Sequence, residues 1–366
     1  MSLLTPRGTG AIAVIGLSGP GAEEVLAGLF RGRKDLPVAV GKFGSTLRDT
    51  VVVVRDGSRL ELHCHGGVAV VDWVLDQLRA CGAEEIPWSQ WIRQQGRTPL
   101  RAEAAVRLSQ ALTARTAGIL WDQVQGALDA AVAGVVQALH GRRREEALAL
   151  VERLLAHADT GRHLTQPFRV VFVGQPNVGK STLVNALLGY PRSLTSPLAG
   201  TTRDAVATLT AFDGWPVALI DTAGWQPGAR GLDALSMART EEAARTADLL
   251  VLVRDRSQPE AQELGAVGDA PVRHLDVVNK ADLPAAWQPP GIVVSARTGQ
   301  GLQELSAAIV RALVPSPPPL GAAVPFTDEL IVTLRRAAER LRDPRSDWTS
   351  LAEDLEHLLR PSPAGG

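Results

Sequence analysis

The chain has 366 residues, 45% of them hydrophobic, and a formal net charge of −1. That length accommodates about two or three domains with separate cores, and the near-neutral balance excludes a global field that would draw the molecule onto nucleic acid or a membrane. Its apolar runs fall short of the roughly 18 residues of a membrane span, no secretory apolar core opens the chain, and two cysteines, Cys64 and Cys81, make no disulfide framework, so a cytoplasmic protein is expected.

In chain order, Thr5–Leu17 reads as a loop feeding a short strand, Gly21–Phe30 as a helix and Val51–Val54 as a second strand. The last leads into Leu60–Gly67 (LELHCHGG) and a helical pattern at Val70, Val74 and Leu78. These elements predict a small α+β domain over residues 1–90. His63, Cys64 and His65 pose a metal site against a turn histidine, with no second ligand cluster in the sequence. Residues 91–163 are expected to be helical, since apolar positions from Leu108 to Leu139 recur at three- and four-residue spacing. Arg142–Arg144 falls between two of these helices and reads as a solvated turn, with RNA contact as the alternative.

From 166 to 315 strand and helix alternate, as a parallel sheet requires. Pro315–Pro319 then forms a stiff linker, and Asp328–Leu341 and Trp348–Leu359 return to amphipathic helices within residues 320–366. Helices on both sides predict an α/β unit inserted into a helical domain. The fold class expected is therefore multidomain: an N-terminal α+β domain, a helical domain, and an inserted α/β domain.

The chemistry is concentrated in the inserted unit. An apolar strand, Val170–Val173, stops at Gly174, and a helical pattern resumes at Lys180 with Leu183, Leu187 and Leu188. Between them lies Gly174-x-x-x-x-Gly179-Lys180-Ser181, a loop whose backbone N–H groups turn onto an anion at a helix N-terminus. Asn177, Val178, Gly179, Lys180, Ser181 and Thr182 are its expected nucleotide contacts. Lys180 reaches the outer phosphates and Ser181 offers a hydroxyl to Mg2+. The chain has only four lysines and three asparagines, and Asn177, Lys180, Asn279 and Lys280 fall within these motifs.

Four further stretches follow in order. Ser196, Pro197, Leu198, Ala199, Gly200, Thr201 and Thr202 form a polar loop before the strand Val206–Thr210, with Thr202 placed to complete Mg2+ and sense the γ-phosphate. The strand Trp215–Ile220 ends in Asp221, Thr222, Ala223 and Gly224, where Asp221 supports Mg2+ and Gly224 lets the backbone approach the γ-phosphate. Asn279, Lys280, Ala281 and Asp282 close another strand. The Asp282 carboxylate accepts from guanine N1–H and its exocyclic amine, whereas adenine would leave it facing a lone pair, which selects GTP. Ser295, Ala296 and Arg297 supply a loop against guanine O6, so the inserted unit is expected to be an α/β P-loop GTPase (Ras-like) G domain.

Hydrolysis needs a group that orients water and a positive charge on the transition state. Ras-like switches place a glutamine after the DxxG sequence, but here Trp225 stands there. The acidic alternatives are Asp233, Glu241 and Glu242; the positive ones are Arg203, Arg230, a partner's arginine, or a monovalent cation. Asn177 presents a side-chain carbonyl beside the phosphates, which is suited to K+.

These motifs, with TPRGTGAIAVIGLSGPGA near the N-terminus, LELHCHGG, RAEAAVRLSQALTART and LAGTTRDAV followed by DTAGW, resemble the tRNA-modification GTPases of the MnmE (TrmE) family over almost the whole chain. The resemblance implies a homodimer with an N-terminal domain binding a tetrahydrofolate derivative, a helical domain carrying the GTPase domain, and K+ bound during hydrolysis. It implies a flavoprotein partner, MnmG (GidA), and tRNA wobble-uridine modification. Carried over by position, K+ would be held by Asn177, Ser196, Leu198 and Thr201, Mg2+ by Ser181 and Thr202, and the water-positioning carboxylate would be Asp233. The folate-like contacts would be Glu61 and Arg97. Gly16 stands where the family has an arginine, PWSQW (Pro87–Trp91) replaces a PGEFT-like stretch, and the terminal cysteine motif is not found. A second expectation therefore stands beside the first: a GTP-dependent switch or assembly factor that has lost the modification chemistry. A ribosome-assembly GTPase of the Era/Der type shares the motifs but gives no reason for the N-terminal domain.

Overall fold

A computed structural model describes residues 1–8, 10–33, 35–46, 49–57, 59–189, 207–222, 240–259, 273–343, 345, 347–348 and 350–361. The chain divides into two compact units, Met1–Val106 with Leu355–Gly366, and Arg107–Asp354. These differ from a four-part division drawn at changes of sequence pattern, because packing groups the helices with the α/β segment.

The first unit is built on β1 (Ser2–Leu3), β2 (Ile12–Ser18), α1 (Ala22–Leu29), β3 (Phe30–Gly32), β4 (Val38–Phe43), β5 (Asp49–Asp56), β6 (Arg59–His65), α2 (Val68–Ala80) and α3 (Trp88–Arg93). The strands form one antiparallel sheet in the order β1-β2-β6-β5-β4-β3. Alternation sets its core: Leu60, Leu62 and Cys64 of β6 point to one face with Val51 and Val53, and Leu26, Val74, Leu75 and Leu78 of the helices pack there. His63 and His65 therefore lie on a strand, not in a turn, and Cys64 between them faces the opposite side. His63 Nε2 sits 3.2 Å from Glu61 Oε2, and His65 Nδ1 2.7 Å from Asp49 Oδ1. No group of three or more metal-ligating side chains occurs among the described residues.

The helical run is divided between α4 (Pro99–Leu108), α5 (Ala114–Val124), α6 (Ala127–His140), α7 (Arg144–Leu155) and α8 (Ala158–Arg162). Thr113 opens α5 with a capping box, its hydroxyl accepting from the Thr116 backbone N–H. Arg142 adopts φ +54° between α6 and α7. Arg143 pairs with Glu146 at 2.8 Å, while Arg144 donates to the Leu341 carbonyl at 2.6 Å. Two of the three arginines are thus held by their own unit.

The α/β part contains β7 (Phe168–Val173), α9 (Lys180–Leu188), β8 (Ala207–Phe212), β9 (Trp215–Asp221), β10 (Leu249–Asp255), β11 (His274–Asn279), β12 (Ile292–Val293) and α10 (Leu302–Leu313). Its sheet order is β12-β11-β10-β7-β9-β8, parallel except for the β8–β9 hairpin. The chain leaves central β7 toward one edge and later fills the other, so the switch point lies at the carboxyl end of β7. After the linker, α11 (Asp328–Arg342) packs on α7, with an Arg342–Glu152 ion pair at 2.8 Å. Elements before and after the α/β segment thus meet each other. Its near edge is clamped too: Thr113 Oγ1 donates to Gly214 O at 2.6 Å, and the Arg115 guanidinium lies 5.5 Å from the Trp215 ring. No helix among the described residues is long and apolar enough to cross a membrane.

Candidate functional site

The β-branched and aromatic run of β7 is fully buried from Val170 to Val173, which fixes the start of the phosphate loop in the centre of the sheet. Asn177 turns the loop with φ +64°, a conformation that asparagine tolerates better than most residues, and its side chain is exposed. Gly179 follows at φ +93°, and a Cβ there would collide with Asn279 Nδ2, so both backbone angle and space demand glycine. Lys180, Ser181 and Thr182 form the first turn of α9, where free N–H groups and the helix dipole favour an anion.

Lys180 is only 6% exposed, and its ammonium donates to the carbonyls of Gly174 and Gln175 at 3.0 Å each. Burial pushes its pKa below the ordinary lysine value, against the opposing pull of Asp221. The amine therefore rests on backbone oxygens of its own loop.

Asp221 ends β9 in register with Phe172 of β7, next to the phosphate loop. Thr222 Oγ1 donates to the Phe172 carbonyl at 2.7 Å, which locks the end of β9 to the end of β7. Asp221 Oδ1 is buried with no hydrogen-bond partner among the described residues. An orphaned carboxylate oxygen at the end of the strand next to the phosphate loop, with a hydroxyl at Ser181 in that loop's helix, is the donor chemistry that suits a hydrated divalent cation.

The residues expected from the sequence to face the base are joined to this loop by one side chain. Asn279, 2% exposed at the end of β11, donates from Nδ2 to Val178 O at 2.9 Å and accepts at Oδ1 from Ala296 N at 3.1 Å. Lys280 takes φ +65°, and Ala281 N donates to Val294 O at 3.0 Å. Ser295 Oγ donates to Asp282 Oδ1 at 2.6 Å, and this hydrogen bond is the main cause holding the Asp282 carboxyl below its usual range. Asp282 itself is exposed, as is Arg297. An accessible carboxylate acceptor is what guanine's adjacent N–H donors require. Asp255, which nothing in the sequence reading singles out, also belongs here: Lys280 Nζ lies 2.6 Å from Asp255 Oδ2.

Of the residues expected from the sequence, the structure brings together Asn177, Val178, Gly179, Lys180, Ser181, Thr182, Asp221, Thr222, Asn279, Lys280, Ala281, Asp282, Ser295, Ala296 and Arg297 around the carboxyl ends of β7, β9 and β11. Ser196, Pro197, Leu198, Ala199, Gly200, Thr201, Thr202, Ala223, Gly224 and Asp233 lie outside the described residues, as do Arg203, Trp225 and Arg230.

The folate-like contacts fall in the first unit. Glu61 lines a cavity of about 240 Å³ with Arg59, Trp88, Trp91, Ile92, Gln95, Asp56 and Leu4; Arg97 is not among its lining residues. Trp91 is buried, and a Cβ on Gly16 would lie 2.5 Å from its ring. The indole occupies the space that a longer side chain at position 16 would need. The one lining cation, Arg59, is engaged by Gln95 Oε1 at 3.1 Å. Two carboxylates, Asp56 and Glu61, against one already engaged cation make this lining a poor match for a folate's anionic end.

Comparison with known proteins places these features. Residues 169–280 match the family model described as 50S ribosome-binding GTPase. The chain is 34% identical to the tRNA modification GTPase MnmE of Thermus thermophilus, over 98% of this chain and 90% of that protein. It is also 34% identical to that of Chloroflexus aurantiacus, over 93% of this chain and 88% of the relative. Among solved structures, the G domain of the T. maritima FeoB iron transporter is 28% identical and covers 40% of this chain and 99% of its own, with a TM-score of 0.33.

Proposed function

The chain belongs to the tRNA modification GTPase MnmE family, and from that premise we propose that this GTPase uses Mg2+ and K+ and serves tRNA wobble-uridine (U34) modification. The observation that carries the GTP part is Asn279, whose two amide atoms tie the phosphate loop to the guanine loop. The tRNA part is supported by the relatives' name and by a likeness running through the N-terminal and helical segments as well as the GTPase domain.

Ser181, Asp221 and, from the resemblance, Thr202 would hold Mg2+, which when bound neutralises charge on the phosphate oxygens. Asp221 acts through its buried free oxygen, orienting a ligand while Thr222 fixes the strand end. Lys180 moves its protonated amine from the loop carbonyls to the phosphates. Asn177 would ligate K+ with Ser196, Leu198 and Thr201, supplying the positive charge that Ras-like enzymes take from an arginine. A homodimer and an MnmG-like flavoprotein partner complete the proposal, on the same family grounds.

GTP turnover in KCl is expected to exceed that in NaCl of equal ionic strength by about tenfold or more. The rate per chain should also climb with protein concentration if two copies pair across the cation. Equal rates in both salts would remove the role given to Asn177.

A second reading is favoured by the Trp91–Gly16 contact. A chain whose N-terminal cavity does not take folate has lost one requirement of the modification chemistry, and would act as a GTP-dependent switch or assembly factor. The chemistry of the GTPase domain is the same in both.

A further inference from the structure

We propose that Asp255 is a positioning residue for guanine recognition, holding the Lys280 ammonium so that its stem is fixed beside the base-binding carboxylate of Asp282. This rests on the reading of Asn279–Asp282 as the guanine loop.

The last residues of two neighbouring strands set the geometry. β10 and β11 run parallel, and their register places Asp255 opposite Asn279, one residue before Lys280. The Asp255 side chain is 8% exposed, and its two oxygens are used differently. Oδ1 accepts from the Ser257 backbone N–H at 2.8 Å and from the Ser257 hydroxyl at 2.7 Å. Oδ2 is left for Lys280, at 2.6 Å. The backbone around the carboxylate is fixed independently, since Trp287 Nε1 donates to Asp255 O at 3.0 Å and Arg256 N donates to Asn279 O at 3.1 Å.

Asp255 is thus held by contacts that do not involve the lysine, whereas Lys280 depends on Asp255. A lysine has four rotatable bonds, a left-handed backbone at φ +65° gives it little support, and its compact charge imposes no orientation of its own. A fixed anion at the end of the stem removes that freedom before the nucleotide arrives, which is how preorganisation raises affinity. Burial works against ionisation of Asp255, but hydrogen bonds from Lys280 and Ser257 outweigh it and keep the carboxyl below its usual range, so the anchor is charged at neutral pH.

The test uses the full chain with three variants: Asp255→Asn, Lys280→Ala and the two combined. Asp255→Asn is nearly isosteric and keeps an acceptor for Ser257, and its unfolding midpoint confirms that the fold is retained. It should weaken GTP binding on the order of tenfold while leaving kcat at saturation nearly unchanged, because the lost contact serves ground state and transition state alike. In the Lys280→Ala background the same substitution should have no further effect on GTP affinity. Additive losses would mean that Asp255 acts apart from Lys280 and would overturn the proposal, as would unchanged GTP affinity in Asp255→Asn when Lys280→Ala is weakened. Unchanged affinity in Lys280→Ala itself would instead defeat the reading of the guanine loop.

Discussion

Asn279→Ala is expected to cut kcat/KM for GTP by roughly 30-fold to 10⁴-fold while the α/β sheet stays folded. The side chain is nearly inaccessible and bonds at both ends, to Val178 O and to Ala296 N. Truncation leaves a carbonyl of the phosphate loop and an N–H of the guanine loop without their buried partner. Each such loss costs about 1–3 kcal/mol, and two together about 2–6 kcal/mol, which sets the range given. The loss falls on nucleotide affinity because this residue bonds to both loops. Asn279→Asp retains the acceptor for Ala296 but faces Val178 O with a carboxylate oxygen, so it should recover little. Stopped-flow binding of a fluorescent GTP analogue, with circular dichroism on the same samples, separates the two effects. Wild-type affinity in a folded Asn279→Ala variant would show that the two loops are held together by something else.

Lys180→Met has the second large effect and divides activity from stability. Its ammonium is buried on two carbonyls, Gly174 O and Gln175 O, and burial has already lowered its pKa. Removing one preorganised cationic donor from a phosphoryl-transfer site costs on the order of 10²–10³ in kcat. The ligand-free chain, by contrast, loses a costly buried charge, so its unfolding midpoint should stay level or rise. The pH sign follows from the protonated amine being the phosphate-binding form. GTP affinity is full below the lowered pKa of the ligand-free chain and declines as pH rises through it, a fall that begins below the ordinary lysine range. Lys180→Met should show no such alkaline decline. A fall in the midpoint equal to the fall in activity would make Lys180 a structural residue.

Much of this site is local in sequence. A buried apolar run, two glycines, a lysine and a hydroxyl in eight residues identify the phosphate loop because the loop's chemistry is contained within it. Asp221 and Asp282 are legible for the same reason, the first ending a short apolar strand and the second following one by three residues. What the sequence hides depends on partners far along the chain. Asp255 gains its role only through the parallel register that sets it opposite Asn279, although an aspartate closing the apolar strand before the guanine loop is a signal that could be searched for. Trp91 fills the space above Gly16 from 75 positions away, so the glycine reads as a missing arginine until the indole is seen. β3 and β4 escape a hydrophobic-run reading because Val38 and Val40 face outward and their segment is interrupted by glycine. His63 and His65 suggest a turn because the glycines that follow them mark one, while the strand that holds them depends on pairing with β2 and β5.

Nucleoside mass spectrometry of tRNA from a strain lacking this chain tests the central claim most directly. Deletion should leave wobble uridines unmodified, the wild-type chain should restore them, and Lys180→Met should not if, as proposed, GTP hydrolysis drives the modification. Wobble uridines that remain fully modified after deletion would contradict the account and leave the GTP-dependent switch as the reading that stands.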